Sequence, residues 1–349
     1  MALRDNPGPS DGGGERRRVT SFDVAERAGV SQSTVSRALA GLETITEATR
    51  RRVEEAAREL GYFVDSRAAR LRSGETRTVA VVVIAREGGD ARAVNPFHYT
   101  LLGSTCAAAA ARGYQALVTF QSEPDQLFGR FVEERRADAV IVIGTTANRP
   151  AWDHFRALAS DQPNMAFWGA GAEEEDWVRS DNFEGAELAV ARLVAAGHRR
   201  IAFVGETDGH QRQFGERYEG YRRAMQAHGL DPLPAITGEG GSRDAQGRAA
   251  IDHVLDGERP DGLFFACDAM ALGALDHLAQ RGISVPDEIG VIGFDGLGSG
   301  AHSHPPLTTV EPEFALAGEM LVSAALDPQS GEARVPVRLV ERRSVRASG

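Results

Sequence analysis

The sequence predicts an N-terminal all-α helix-turn-helix head followed by an α/β core of two similar lobes, each a parallel, doubly wound sheet. Three observations carry this. Two short amphipathic helices flank a glycine in TSFDVAERAGVSQSTVSRAL, Thr20–Leu39. From Thr78 onward, continuous apolar strands alternate with helices, the pattern of parallel strands covered on both faces. Roughly ten such strands are too many for one small sheet, so two lobes are expected.

The head follows from local chemistry. Thr20 is placed to cap a first helix, with Asp23 as the returning acid three residues on. Phe22, Val24, Ala25 and Ala28 share one face, and Gly29 supplies the left-handed turn. Ser31 caps a second helix, Gln32 to Ala40, whose Val35 and Leu39 face back. A small residue where the helices cross (Ala25), a glycine four later and a β-branched residue six after that form the signature of a DNA-reading helix-turn-helix. Its second helix would lie in the major groove; an ordinary helical hairpin is the alternative. Thr46 caps a third helix, Glu47–Leu60, with Val53, Ala56, Ala57 and Leu60 as its apolar stripe and Gly61 ending it. Tyr62 packs beneath.

Met1 to Arg18 is rich in Gly, Pro and charge and is expected to be a disordered tail (1–18). The head covers 19–63, and a short, alanine-rich, basic linker covers 64–77, too small for a core of its own. The core, 78–349, opens with strand Thr78–Ile84. Helix Phe97–Arg112, strand Gln115–Phe120, helix Leu127–Arg136, strand Ala139–Ile143, helix Trp152–Ser160 and strand Asn164–Trp168 follow. Then come helix Phe183–Ala196, strand Arg200–Val204 and helices Gly215–His228 and Asp244–Leu255. Strand Gly262–Ala266, helix Ala269–Arg281, strand Ile289–Phe294, helix Glu313–Leu326 and strands Arg334–Val337 and Leu339–Val345 complete it. Ligands in such sheets bind at the carboxyl ends of strands, here in the cleft between lobes.

Composition limits the function. The 349 residues are 42% hydrophobic and 26% charged, ordinary for a soluble protein. With no run near 18 apolar residues and no apolar segment behind a charged N-terminus, neither a membrane span nor a signal peptide is expected, and a cytoplasmic location is. Cys106 and Cys267 sit in apolar surroundings, against a disulfide framework. Residues 1–78 hold 14 Arg against 12 acids, a balance of +2; the rest hold 25 against 38, or −13. A head that is basic relative to an acidic body confines DNA to one end. Every cation is arginine. The glycine-rich GFDGLGSG (Gly293–Gly300) is not a dinucleotide loop, because His302 to Pro306 forbids the helix that must follow. His302 and His304 lack a third metal partner. No enzyme activity, cofactor or metal is expected. A solute-binding protein is a rival reading, opposed by the head and the missing signal peptide.

Taken together, these stretches resemble the LacI (lactose-repressor) family of bacterial transcription regulators. Beyond the head and third helix, the resemblance rests on NPF (Asn95–Phe97), SDNFEGAELAVARLVAAGHRRIAFVG (Ser180–Gly205), RYEGY (Arg217–Tyr221), CDAMALGAL (Cys267–Leu275), VPDEIGVIGFD (Val285–Asp295), PPLTTV (Pro305–Val310) and LVERRS (Leu339–Ser344), in family order. It implies a homodimer that binds double-stranded operator DNA, with a periplasmic-binding-protein-like core. It also implies discontinuous lobes: about 78–180 with 311–330, and 181–310 with 331–349. Asp65 to Arg72 would form a hinge helix, with Leu71 as the leucine that wedges into the minor groove. The family's usual Pro-Asn is Val64-Asp65 here.

The resemblance also assigns roles. Gln32, Ser33 and Arg37 match base-reading positions; Arg37 suits a guanine edge and Gln32 an adenine. Thr20, Ser31, Thr34 and Ser36 suit phosphate, with helix capping as the alternative for each. Arg217 and Asp295 match an arginine and an acid that hold effector. Asp268 matches a neighbour of the effector, or it caps the following helix. Phe97 and His98 match a stacking face. Trp168 stands where an acid is common and offers either a stacking face for a pyranose or core packing. Cys267 replaces a frequent Asn. The effector expected is a small molecule, a sugar or sugar derivative; a nucleobase or nucleoside is the alternative.

Overall fold

The computed structural model describes residues 19–42, 44–62, 75–89, 94–169, 177–207, 211–256, 259–327 and 333–347. The tail, the hinge segment and Leu71 lie outside the described residues. The chain divides into two compact units, 1–74 and 75–349.

In the first unit, α1 (Ser21–Ala28), α2 (Gln32–Leu39) and α3 (Glu47–Leu60) enclose a core of Val24, Ala25, Ala28, Val35, Ala38, Val53, Ala56 and Ala57, closed by Leu39, Leu60 and Tyr62. The caps form as expected. The Asp23 carboxylate accepts the Thr20 N–H at 2.8 Å, and Ser31 Oγ accepts the Thr34 N–H at 3.2 Å. Gly29 turns at φ 65°. Phe22 departs from the expectation: it is 70% exposed, so the apolar face of α1 is narrower than its sequence suggests.

The second unit holds a four-stranded and a five-stranded sheet joined by a small parallel pair. The first lobe contains β1 (Thr78–Ile84), α4 (Pro96–Ala111), β2 (Gln115–Gln121), β3 (Ala139–Gly144), α5 (Arg149–Ala159) and β4 (Met165–Phe167), with strand order β2-β1-β3-β4, all parallel. Alternate β1 residues feed different cores. Val79, Val81 and Val83 pack on one face and Ala80, Val82 and Ile84 on the other, which is why the strand is apolar throughout. After β5 (Val178–Ser180) the chain enters the second lobe. This lobe comprises α6 (Asn182–Ala195), β6 (Ile201–Val204), α7 (Arg212–Ala227), α8 (Arg243–Leu255), β7 (Gly262–Phe265), α9 (Asp268–Gln280), β8 (Gly290–Phe294) and β9 (Thr308–Pro312). The chain then returns as α10 (Phe314–Leu326), which packs on α4 and β4. It crosses back through β10 (Ala333–Val335), paired with β5, to β11 (Val337–Val340), which lies antiparallel on β9 at the edge of an otherwise parallel sheet.

Two expected elements are corrected. The strand expected over Leu339–Val345 stops at Val340, within β11, and the residues after it form no strand. Leu127–Arg136 is not a helix. The Gln121 carboxamide bonds both the N–H and the carbonyl of Phe128, each at 2.8 Å, so the backbone a helix would need is already engaged. A short 3-10 turn, Pro124–Gln126, precedes the segment, which itself runs without regular structure to Arg130 and then in turns, with Arg135 at φ 53°. The strands β5 and β9 were not read from the sequence. Finally, β2 is an edge strand with an open face, on which Val118 and Phe120 are exposed beside Tyr99 of α4.

Asn148 ties the strand ends of the first lobe together. Its buried Nδ2 donates to the carbonyls of Ala85 (2.9 Å) and Ser122 (2.8 Å), and its Oδ1 caps α5 at Ala151 N–H. Replacing Asn148 by Ala strands two carbonyls and one amide, and should lower stability by about 2–4 kcal/mol in chemical denaturation. A loss under about 1 kcal/mol would show that these groups find other partners.

Candidate functional site

On the head, the expected DNA-facing residues gather around α2. Ser33, Ser36 and Arg37 are exposed; Gln32 is half-buried and its Nε2 donates to Ser21 Oγ at 3.3 Å. Ser31 Oγ lies 2.9 Å from Ser33 Oγ and 2.8 Å from Thr34 Oγ1, so hydroxyls crowd the N-terminus of this helix. Thr20 caps α1, its hydroxyl donating to Asp23 at 2.7 Å. Exposed Phe22 belongs to the same head, and its position on the apolar register of α1 concealed it.

In the core, a cavity of about 410 Å³ opens between the lobes. Strand ends and helix starts line it, as the fold dictates. Phe97 and His98 open α4, Thr145 and Thr146 follow β3, and Trp168 follows β4. From the second lobe come Asn182, Gln213, Arg217, Arg243, Cys267 and Asp295. Gly144 lets the wall form: it sits at φ 135°, and a Cβ there would meet the Ile84 carbonyl oxygen at 2.2 Å.

Arg217 anchors the floor. It is 4% exposed; its guanidinium centre lies 3.5 Å from the centroid of the Phe294 ring. Its Nε donates to Asn182 Oδ1 at 2.9 Å, and Nη1 donates to the Ala266 carbonyl and, at 3.4 Å, to Asp295 Oδ1. Asn182 in turn donates to Glu216 Oε2 at 2.7 Å, and Glu216 faces Arg179 at 3.6 Å. Asp295 sits in the left-handed region at φ 118°, a strained position for a residue with a side chain. That backbone aims its carboxylate inward while its N–H stays bonded to Val310 at 2.8 Å. Burial pushes the Asp295 carboxyl up to about 6, with Arg217 holding it back from rising further. Burial also draws Arg217 down and pushes the Cys267 thiol up to about 12, so the thiol stays neutral.

Phe97 and Trp168 are nearly buried, with rings 5.8 Å apart, and serve both the lobe core and the cavity wall. Asp268 is corrected. It does not line the cavity. Its carboxylate lies against Gly293, accepting the Thr309 hydroxyl at 2.6 Å and the Leu297 N–H at 2.7 Å. It does not cap α9 either, since Cys267 holds that position. Its work is to bind α9 to the loop after β8. Residues that sequence reasoning missed are Arg86, Thr146, Asn182, Gln213 and Arg243. Each follows a strand or opens a helix, and that position is the one signal that could have found them.

Three buried polar atoms on this wall have no partner: His98 Nδ1, Thr146 Oγ1 and Gln213 Oε1. Burial holds His98 down at about 4. In the unfolded chain the ring titrates near 6.5, so between 6.5 and 4 the unfolded state binds more protons and stability is lost as the pH falls. The melting temperature of the wild type should therefore fall more steeply across that window than that of His98→Asn. Parallel curves would contradict a buried neutral imidazole.

Among the described residues no helix is long and apolar enough to cross a membrane, and no three His, Cys, Asp or Glu could hold a metal ion. Residues 22–64 match the model for bacterial regulatory proteins of the lacI family, and 190–345 the periplasmic binding protein-like domain. The chain is 34% identical to the HTH-type transcriptional regulator CelR of Thermobifida fusca, covering 93% of this chain and 96% of that protein. Among solved structures, a CelR–cellobiose complex superimposes with a TM-score of 0.63 at 28% identity, covering 94% of this chain and all of that one. The lac repressor dimer bound to operator and an anti-inducer superimposes with a TM-score of 0.74 at 24% identity, over 95% of this chain and all of that one. With its three-helix head, two-lobed core and this identity along nearly its whole length, the chain belongs to the LacI family of bacterial transcription regulators.

Proposed function

We propose that this protein is a repressor that binds operator DNA as a homodimer and is controlled by a carbohydrate in the cleft of its core. One observation carries the effector reading: the two ring faces of Phe97 and Trp168 share a cavity with the buried pair Arg217–Asp295, contributed by the other lobe. A pyranose has an apolar C–H face and a rim of hydroxyls, which match an aromatic wall and a carboxylate–guanidinium floor. The CelR–cellobiose complex supports the same class of ligand. Residues 19–63 serve as the DNA-binding domain and 64–77 as the hinge, with Leu71 as wedge. Gln32, Ser33 and Arg37 read bases, and Thr20, Ser31, Thr34 and Ser36 hold phosphate. The open face of β2, with Val118, Phe120 and Tyr99, is a surface for the second copy.

A ligand touching both lobes stabilises one relative orientation of them, and only its differential affinity for the two states can shift the equilibrium. Two measurements test the reading. On an operator recovered by selection from random duplexes, Arg37→Ala should cost about 1–3 kcal/mol at one base position and relax preference there. An unchanged preference would remove Arg37 from base reading. Titrating the effector with and without that operator should give affinities differing by about 5–150-fold. Equal affinities would mean that the cavity binds a ligand without switching the head.

A further inference from the structure

The cavity wall carries more cationic than acidic side chains. Arg86, Arg179, Arg217 and Arg243 line it, against Asp244 and Asp295. Arg217 pairs with Asp295 at 3.4 Å and Arg179 faces Glu216 at 3.6 Å. Arg86, just past β1 in the first lobe, and Arg243, the first residue of α8 in the second, are placed differently. Arg86 Nη1 reaches across the cleft to the Gly241 carbonyl, and Arg243 Nη1 donates to Gln246 Oε1 at 2.7 Å. Both acceptors are neutral, and among the described residues no ion pair within 4 Å joins either arginine to a carboxylate, although Arg243 acts through space on Asp295. The Arg243 guanidinium lies 5.0 Å from the centroid of the Phe214 ring, a second wall residue. Arg86 bonds Gly241, two positions before Arg243 in the chain, so the loop that opens α8 brings both cations, from opposite lobes, to the same stretch of wall.

Two further features point the same way. The helix α7 is capped by Gln211 on the cavity wall, with no side-chain cap bond and no acid in its first turn. Its first amides and the positive end of its dipole favour negative charge. The unpartnered Gln213 Oε1 accepts only, so a ligand filling the site also donates O–H groups.

We propose that the ligand of this cavity is an anionic carbohydrate, its carboxylate or phosphate held between Arg86 and Arg243 while its hydroxyls meet Gln213, Thr146 and His98. This rests on the reading of the cavity as a carbohydrate site. An oxyanion here replaces a neutral acceptor of the guanidinium by a charged one, which adds Coulomb attraction and admits bidentate geometry. It also joins the lobes through charge, at the point where Arg86 already spans them.

The test uses the full-length protein and matched sugars: glucose, glucuronate and glucose 6-phosphate, and cellobiose with cellobionate, with inorganic phosphate alone as a further probe. Binding is read by calorimetry and by the shift in melting temperature. An anionic member should bind at least about tenfold tighter than its neutral parent, and more salt should erode that preference. The uronate and phosphate arms show which oxyanion fits. Arg86→Gln and Arg243→Gln should each abolish the preference while the unliganded melting temperature and circular dichroism stay near wild type. If either variant loses its fold, the salt dependence in the wild type decides. A neutral sugar binding as tightly as its anionic partner overturns the clamp and leaves the carbohydrate site standing. Tight binding of inorganic phosphate alone, or no binding by any member of the panel, overturns both.

Discussion

A guanidinium buried beneath the cleft has to be satisfied on every side, and much of the core is arranged to do so. Isolated charge in an apolar interior is prohibitively costly. Arg217 on α7 therefore gathers the start of α6 through Asn182, the end of β7 through the Ala266 carbonyl and the end of β8 through Asp295, with Phe294 against its flat face. Removing any one of these leaves the others holding a charge without its full set of partners. The same demand explains why Asp295 keeps a strained backbone: a relaxed φ would turn its carboxylate away from Arg217.

That arrangement gives the cavity a polar floor from the second lobe, which the first lobe covers with aromatic faces. The two walls differ in kind. Phe97 and Trp168 belong to a hydrophobic core and cannot reorient without opening it. Ordering the site before a ligand arrives reduces the entropy that binding must overcome. The buried atoms His98 Nδ1, Thr146 Oγ1 and Gln213 Oε1 on the cavity wall find no partner within the protein.

Local rules made the head legible. Its caps, its glycine turn and its apolar stripe are decided within a few residues, and only Phe22 broke the pattern. The central strands were legible because an unbroken apolar run has few other uses. The parts that escaped depend on distant partners. The three residues of β5 carry no periodicity, and they form a strand because β10 lies alongside. β9 follows two prolines and is rich in threonine, so its apolar signal is weak. Asp268 escapes local rules because Thr309, 41 positions away in sequence, claims its carboxylate. Arg86 and Arg243 looked like two among many arginines until the fold placed them on one cavity.

The chain passes between the lobes three times among the described residues, after β5, after β9 and through β10 to β11. This sets the order in which the newborn chain can become solid. When β1 to β4 emerge from the ribosome, one face of their sheet still lacks α10, whose Ala317, Leu321, Val322 and Ala325 complete its core. The first lobe therefore waits, with apolar surface open, until the second lobe's β6 to β9 and then α10 have been synthesised. A transiently uncovered sheet of this kind invites chaperones and aggregation alike. The same crossings that leave a cavity between the lobes keep both lobes unfinished until the last of these elements have been made.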